Sequence, residues 1–147
     1  MDGISLLYDF KDIVAFGEEH SSLGKLVRRA AASLDLEVSP DPMPEEVYFI
    51  RSDQYSFVRQ GVPSIFVGEG FKARKPGVDG KKMTLDWEAK LYHTPKDDMS
   101  QPLDFGAAVR CTRLQFLIGY LTAQDDQRPA WNPGDFFGKV FGEGPGR

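Results

Sequence analysis

Cysteine is almost missing from this sequence. The one copy, Cys111, has no internal partner for a disulfide. It lies in an apolar helical pattern and reads as a small buried hydrophobe rather than a nucleophile. Histidine is nearly as scarce, with only His20 and His93. No apolar run approaches the roughly 20 residues a membrane-spanning helix needs. There is no excess of positive charge: 18 Lys and Arg stand against 22 Asp and Glu, a net charge of −4 with both signs interspersed. No basic stripe is available to neutralise phosphates, which excludes a nucleic-acid binder. Missing too are internal repeats, low-complexity tracts and any Gly-X-Ser-X-Gly elbow that would present a strained serine. The N-terminal stretch MDGISLLYDFKDIV carries acids where a secretion signal needs a basic start and an apolar run. As it stands, the chain reads as cytoplasmic.

What is present fits one domain over residues 1–147, with 41% hydrophobic and 27% charged residues, ordinary globular values. Strand and helix signals alternate. Asp12 to Gly17 reads as a short buried strand closed by glycine. Ser21 or Ser22 then serves as N-cap for a helix LGKLVRRAAASL, with Leu23, Leu26, Val27, Ala30 and Leu34 on one face and Lys25, Arg28 and Arg29 off it. Leu36 to Val38 is a candidate strand. Pro40, Pro42 and Pro44 make residues 39–45 a loop. Ser52 reads as the N-cap of a short helix over 53–60 ended by Gly61, and Pro63 to Val67 as a further buried strand.

Residues 68–90 dissolve into Gly, Lys and Pro and read as a long surface loop. Pro102 to about Ala123 is the strongest helix. Its apolar residues, among them Ala107, Cys111, Leu114 and Ile118, spread over more than one face and predict deep burial. The tail 124–147, rich in Gly, Pro and aromatics, reads as irregular chain packed along the body.

Two motifs stand out: RSDQYSFVRQGVPSIF from Arg51 to Phe66, and YHTPKDD from Tyr92 to Asp98. Imidazole is the commonest side-chain metal ligand and the natural acid or base near neutral pH, so His93 draws the chemistry. Each motif has a plainer interpretation. Thr94-Pro95-Lys96-Asp97 reads as a helix start, with Thr as N-cap and Pro at the first helical position. Ser52-Asp53 is likewise an N-cap pair. Tyr92 reads as a core or rim aromatic. His20 reads as an exposed residue ahead of a helix, and Arg28-Arg29 and Lys81-Lys82 as solvated surface.

Taken together and in order, DIVAFGEEHSSLG, RSDQYSFVRQGVPSIFVG and YHTPKDD resemble the C-terminal half of the M28 zinc peptidases, over nearly the whole chain from Met1 to Phe141. The resemblance implies an α/β fold of aminopeptidase type, shared with glutaminyl cyclases: a three-layer sandwich with a mixed sheet, here truncated. It implies a two-zinc site held by two His, two Asp and a Glu, with a further Glu as general base. On this alignment His93 matches the last histidine ligand. Tyr92 matches a position whose hydroxyl supports the oxyanion in some members. Asp53 matches an acidic position beside the metals, and Ser52, Asp97 and Asp98 fall where they would orient the site. Gln54 stands where many members have His. Met1-Asp2-Gly3 matches the end of an Asn-X-Asp-Met-X-Gly ligand run, as though translation began at an internal methionine just after the ligand. Full-length relatives are often exported.

The expectation is therefore metal-dependent hydrolysis of peptide-like acyl bonds by descent, impaired in this chain. A catalytic zinc takes about three protein ligands and an open water position. His93 with Asp53, Asp97 or Asp98 offers weak zinc binding at best. Two alternatives stay open. Ser52 or Ser56, His93 and Asp97 or Asp98 supply the residue types of a metal-free esterase or lactonase. A non-catalytic remnant is the other. Half a sandwich leaves an apolar face and a sheet edge uncovered, which points to a homo-oligomer, most simply a dimer.

Overall fold

The valine, isoleucine and aromatic residues around position 14 form the centre of the sheet. In the computed structural model, which describes residues 7–142, β1 (Asp12–Phe16) lies between two short strands. It pairs in parallel with β2 (Glu37–Ser39), Ile13 opposite Val38, and antiparallel with β3 (Phe66–Glu69), Ala15 opposite Val67. The sheet is mixed, and the fold is α/β as expected. Alternation along β1 divides its side chains between two environments. Ile13 and Ala15 enter the main core with Val67, Val27 and Leu114, while the Phe16 ring stacks on Phe66 at 5.7 Å and meets Tyr48 at 5.4 Å.

Helix α1 (Leu23–Ser33) buries Leu23, Leu26, Val27 and Ala30 of the predicted stripe, with Leu34 half-buried against the core and Ala31 buried in addition. Alanines at full burial let the long helix α5 (Phe105–Ala123) pack closely against it. From α5 come Ala107, Cys111, Leu114 and Ile118, at spacings of four, three and four residues. Burying each large aliphatic among them contributes about 1.5–3 kcal/mol. Asp104 starts α5 by accepting from the Ala107 amide at 3.0 Å.

Burial of α5 is narrower than the sequence predicted. Phe105, Val109, Phe116 and Tyr120 are exposed along its opposite side, Phe116 at 66%. The apolar pattern runs around the helix, but α1 and the sheet cover only one side of it.

Several elements differ from the sequence expectation. Of the two serines offered as cap for α1, Ser22 makes no side-chain cap and its hydroxyl accepts from the Ala130 amide at 3.0 Å, while the Ser21 hydroxyl accepts from the Leu23 amide at 3.4 Å. Residues 68–90 are not a continuous loop, because α4 (Gly80–Lys90) fills their second half. Asp79 caps α4 by accepting from the Lys82 amide at 2.9 Å. Lys82 and Lys90 both grip Asp86 at i, i+4 spacing. That grip holds the Asp86 carboxyl down to about 2.

Between β2 and β3 stand a 3₁₀ turn, Pro44–Glu46, and two single-turn helices, α2 (Tyr48–Arg51) and α3 (Tyr55–Val58). Ser52 is not an N-cap. It closes α2, and its hydroxyl donates to the Tyr48 carbonyl at 2.9 Å. The tail is not wholly irregular either, since α6 (Phe136–Phe141) forms there on an Asp135 cap. Among the described residues no helix is long and apolar enough to cross a membrane. Met1-Asp2-Gly3 lies outside the described residues.

Candidate functional site

Helix α4 delivers the Tyr92-His93 motif. The helix ends as the amides of Leu91 and Tyr92 both turn back to the Trp87 carbonyl, at 2.9 and 3.0 Å. At His93 the backbone enters the left-handed region, φ 57. A non-glycine residue there carries local strain, although His tolerates it better than most. No helix starts at Thr94. Its hydroxyl donates to the Leu91 carbonyl at 2.7 Å and accepts from the Lys96 amide at 3.2 Å, closing a tight turn.

A relay of contacts orients this turn. Asp97 accepts from the Gln101 side-chain amide at 2.9 Å, and the Gln101 carbonyl accepts from the Trp87 indole at 2.8 Å. The Tyr92 ring lies 4.8 Å from Trp87, and the His93 ring stacks on Tyr92 at 3.8 Å. Among the described residues Asp97 bonds to Gln101 and not to His93. Asp98 turns away to accept from the Ser100 amide at 2.8 Å, and the Ser100 hydrogen bonds lower its carboxyl. Tyr92 is 45% exposed and His93 is exposed as well. Among the described residues His93 makes no hydrogen bond.

The other motif sits between α2 and α3. Asp53 is exposed, and Gln54 donates its side-chain amide to the Phe49 carbonyl at 2.7 Å. No hydrogen bond or ion pair joins Ser52, Asp53 or Ser56 to His93 among the described residues. The hydroxyl of Ser52 is engaged locally, as are the carboxylates of Asp97 and Asp98, so these residues are not joined into a hydrogen-bonded triad among the described residues.

Residues the sequence reading passed over couple α2 to α4 electrostatically. Tyr48, at the start of α2, has its hydroxyl pushed up by burial and by the carboxylates of Glu88 and Glu46. Glu88, on α4 just before the Tyr92-His93 turn, is itself raised by burial and by Glu69 and Glu46. Tyr48 is half-buried, and the two shifts have a common cause in partial burial beside carboxylates. Nothing in the local sequence pattern signals them, because they come from three separate elements.

His20 differs most from expectation. It is not an exposed residue ahead of α1: its side chain is 23% exposed, with Nδ1 2.7 Å from Asp135 Oδ2. Phe49 and Phe137 flank its ring at 5.1 and 4.7 Å.

A metal needs converging donors. Among the described residues no group of three or more His, Cys, Asp or Glu side chains is arranged to hold one. His93 supplies one imidazole on an exposed turn, with its neighbouring acids engaged elsewhere. These residues do not by themselves fit a catalytic zinc site of about three protein ligands.

Comparison with curated proteins gave no match, and comparison with solved structures gave none. The family model described as peptidase family M28 matches residues 1–118. That span takes in β1, the Ser52-Asp53 segment, the His93 turn and most of α5, and the chain belongs to peptidase family M28.

Proposed function

We propose that this chain carries one metal ligand, His93, of an M28-type hydrolase acting on peptide-like or ester bonds, and that hydrolysis is impaired in the chain as it stands. The observation behind this reading is the His93 turn: an exposed imidazole on a strained backbone, with its ring nitrogens uncommitted to any described residue. Tyr92 beside it offers a hydroxyl for a developing oxyanion, and Asp53 an exposed acid between α2 and α3. With one described ligand, no catalytic step is assigned to zinc.

Calorimetric titration with zinc tests the ligand role. The expected result is no tight site, with the weak binding lost in His93→Ala. Any hydrolysis of an aminoacyl anilide should vanish in the same variant and persist in Cys111→Ala, whose side chain is buried. Nanomolar zinc binding by the purified chain would overturn the proposal, as would an active His93→Ala protein.

We propose further that the chain is a homo-oligomer, most simply a two-fold dimer. The exposed stripe Phe105, Val109, Phe116 and Tyr120 on α5 supports this reading, since apolar side chains so aligned seldom face water. Light scattering should give twice the mass of one chain, and Phe116→Glu should halve it. A monodisperse monomer for the unaltered chain would refute the dimer.

A further inference from the structure

Three separate parts of the chain meet at His20. The first is the 3₁₀ turn Glu18–His20 itself. The second is the strap of residues 130–141, which runs along that turn. Ser22 N donates to the Ala130 carbonyl at 2.8 Å, Asn132 N to the His20 carbonyl at 2.9 Å, and the Asn132 side-chain amide to the Glu19 carbonyl at 2.7 Å. Asp135 then locks the strap from two sides. One carboxylate oxygen faces His20 Nδ1 at 2.7 Å. The other accepts from the Phe137 and Gly138 amides at 2.9 and 3.2 Å and so starts α6.

The third part is the α2–α3 segment, on the strap's other flank. Trp131 donates its indole N–H to the Gly61 carbonyl at 3.0 Å. Phe137 meets Phe49 edge-on at 5.1 Å and Tyr55 at 6.3 Å, and Phe141 meets Tyr55 at 6.4 Å. Gly61, at φ 80, leaves no room for a side chain, because a Cβ there would lie 2.5 Å from the Phe141 carbonyl. Phe49, Tyr55 and Gly61 bracket Ser52 and Asp53. Helices α2 and α3 have four residues each and no side-chain caps. Elements so short do not persist without tertiary support, and the strap supplies a large share of that support.

We propose that the strap, latched by the His20–Asp135 pair, positions the Ser52-Asp53 segment, so that opening the latch frees that segment while the sheet and α5 stay folded. The contacts alone carry the coupling; calling Ser52-Asp53 part of a site rests on the function proposed above. The charged groups around His20 are Asp135 from the strap and Glu19 from its own turn, whose Oε1 is 3.6 Å from Nε2. The α2 side presents the Phe49 ring.

Hydrogen exchange read by mass spectrometry on the full chain tests the coupling without zinc or substrate, so failure of the hydrolase reading would leave this result intact. Asp135→Ala should speed exchange about tenfold or more in both 130–141 and 48–61, with β1 and α5 unchanged. Asp135→Asn should restore most of the protection, because its amide oxygen can replace the oxygen that caps α6 while its NH2 donates to His20 Nδ1 in the Nε2-protonated tautomer. His20→Ala combined with Asp135→Ala should go no further than the larger single effect. A strap that opens while 48–61 keeps its protection overturns the proposal, and so does additivity of the two changes. Should Asp135→Ala loosen β1 as well, Phe141→Ala decides, since it removes the Tyr55 contact and leaves the latch. Faster exchange confined to 48–61 and the end of the strap sustains the coupling, and unchanged exchange at 48–61 refutes it.

Discussion

The two histidines of this chain occupy opposite kinds of place. His20 is mostly buried, bonded through Nδ1 to a carboxylate that is 10% exposed, and flanked by two phenyl rings. His93 is exposed, sits at φ 57 and touches one other ring, that of Tyr92. A side chain bonded to a covered carboxylate and walled in by rings holds a structure together. One with open nitrogens on a fixed turn remains available to something from outside. Sequence context pointed the other way for His20, since a histidine before two serines looks like a solvated lead-in to a helix.

The sharpest way to break this contrast is to delete each ring in turn. His20→Ala leaves Asp135 buried with one partner fewer, and loss of a partly buried charge-assisted hydrogen bond costs about 2 kcal/mol. His93→Ala removes an exposed ring and should change stability by no more than about 0.5 kcal/mol. Urea denaturation of the two variants measures both. Equal losses would erase the distinction between a structural and an available histidine.

Why the sequence hid one of these places and displayed the other is a matter of distance along the chain. β1, α1 and the buried side of α5 are legible because their apolar periods are local and the core accepts them unchanged. The His93 motif is legible because its residues are consecutive. The partner of His20 is 115 positions away, and no local pattern encodes such a pairing.

Helix α4 was obscured for a different reason. The Gly- and Lys-rich run before it suggests loop, and its own apolar residues Met83 and Leu85 are exposed rather than arranged on a buried stripe. What makes it a helix is the Asp79 cap and the Lys82–Asp86–Lys90 ladder, signals of charge and not of hydrophobic period. The exposed side of α5 shows the converse. Phe105, Val109, Phe116 and Tyr120 have the composition of a core, but no described element covers them.

Acid should act on the His20 side of the comparison. Burial raises the Asp135 carboxyl, but the His20 hydrogen bond and the Gly138 and Phe137 amides outweigh it and leave the group below its ordinary 3.8. A carboxyl lowered on folding stabilises the fold above its unfolded value, and that contribution fades as pH falls through the folded value. The urea midpoint should therefore decline as pH drops below the ordinary carboxylate range. Part of the decline should be missing in Asp135→Asn, which has no proton to gain. An identical acid slope in that variant would assign the pH dependence to other carboxylates.

The smallest expected effect sharpens the comparison from the His93 side. If the turn at φ 57 is strained by the Cβ of His93, relieving the strain calls for glycine and not for alanine, which keeps the Cβ. Both substitutions remove the imidazole and its stack on Tyr92, so their difference isolates the backbone. Glycine also gains freedom in the unfolded chain, which offsets part of the relief. His93→Gly should on balance be more stable than His93→Ala by about 0.5–1 kcal/mol, within reach of paired urea titrations. If alanine proves equal or better, the left-handed turn costs nothing at this position. The exposed imidazole would then be a consequence of where α4 ends rather than of a conformation maintained against strain.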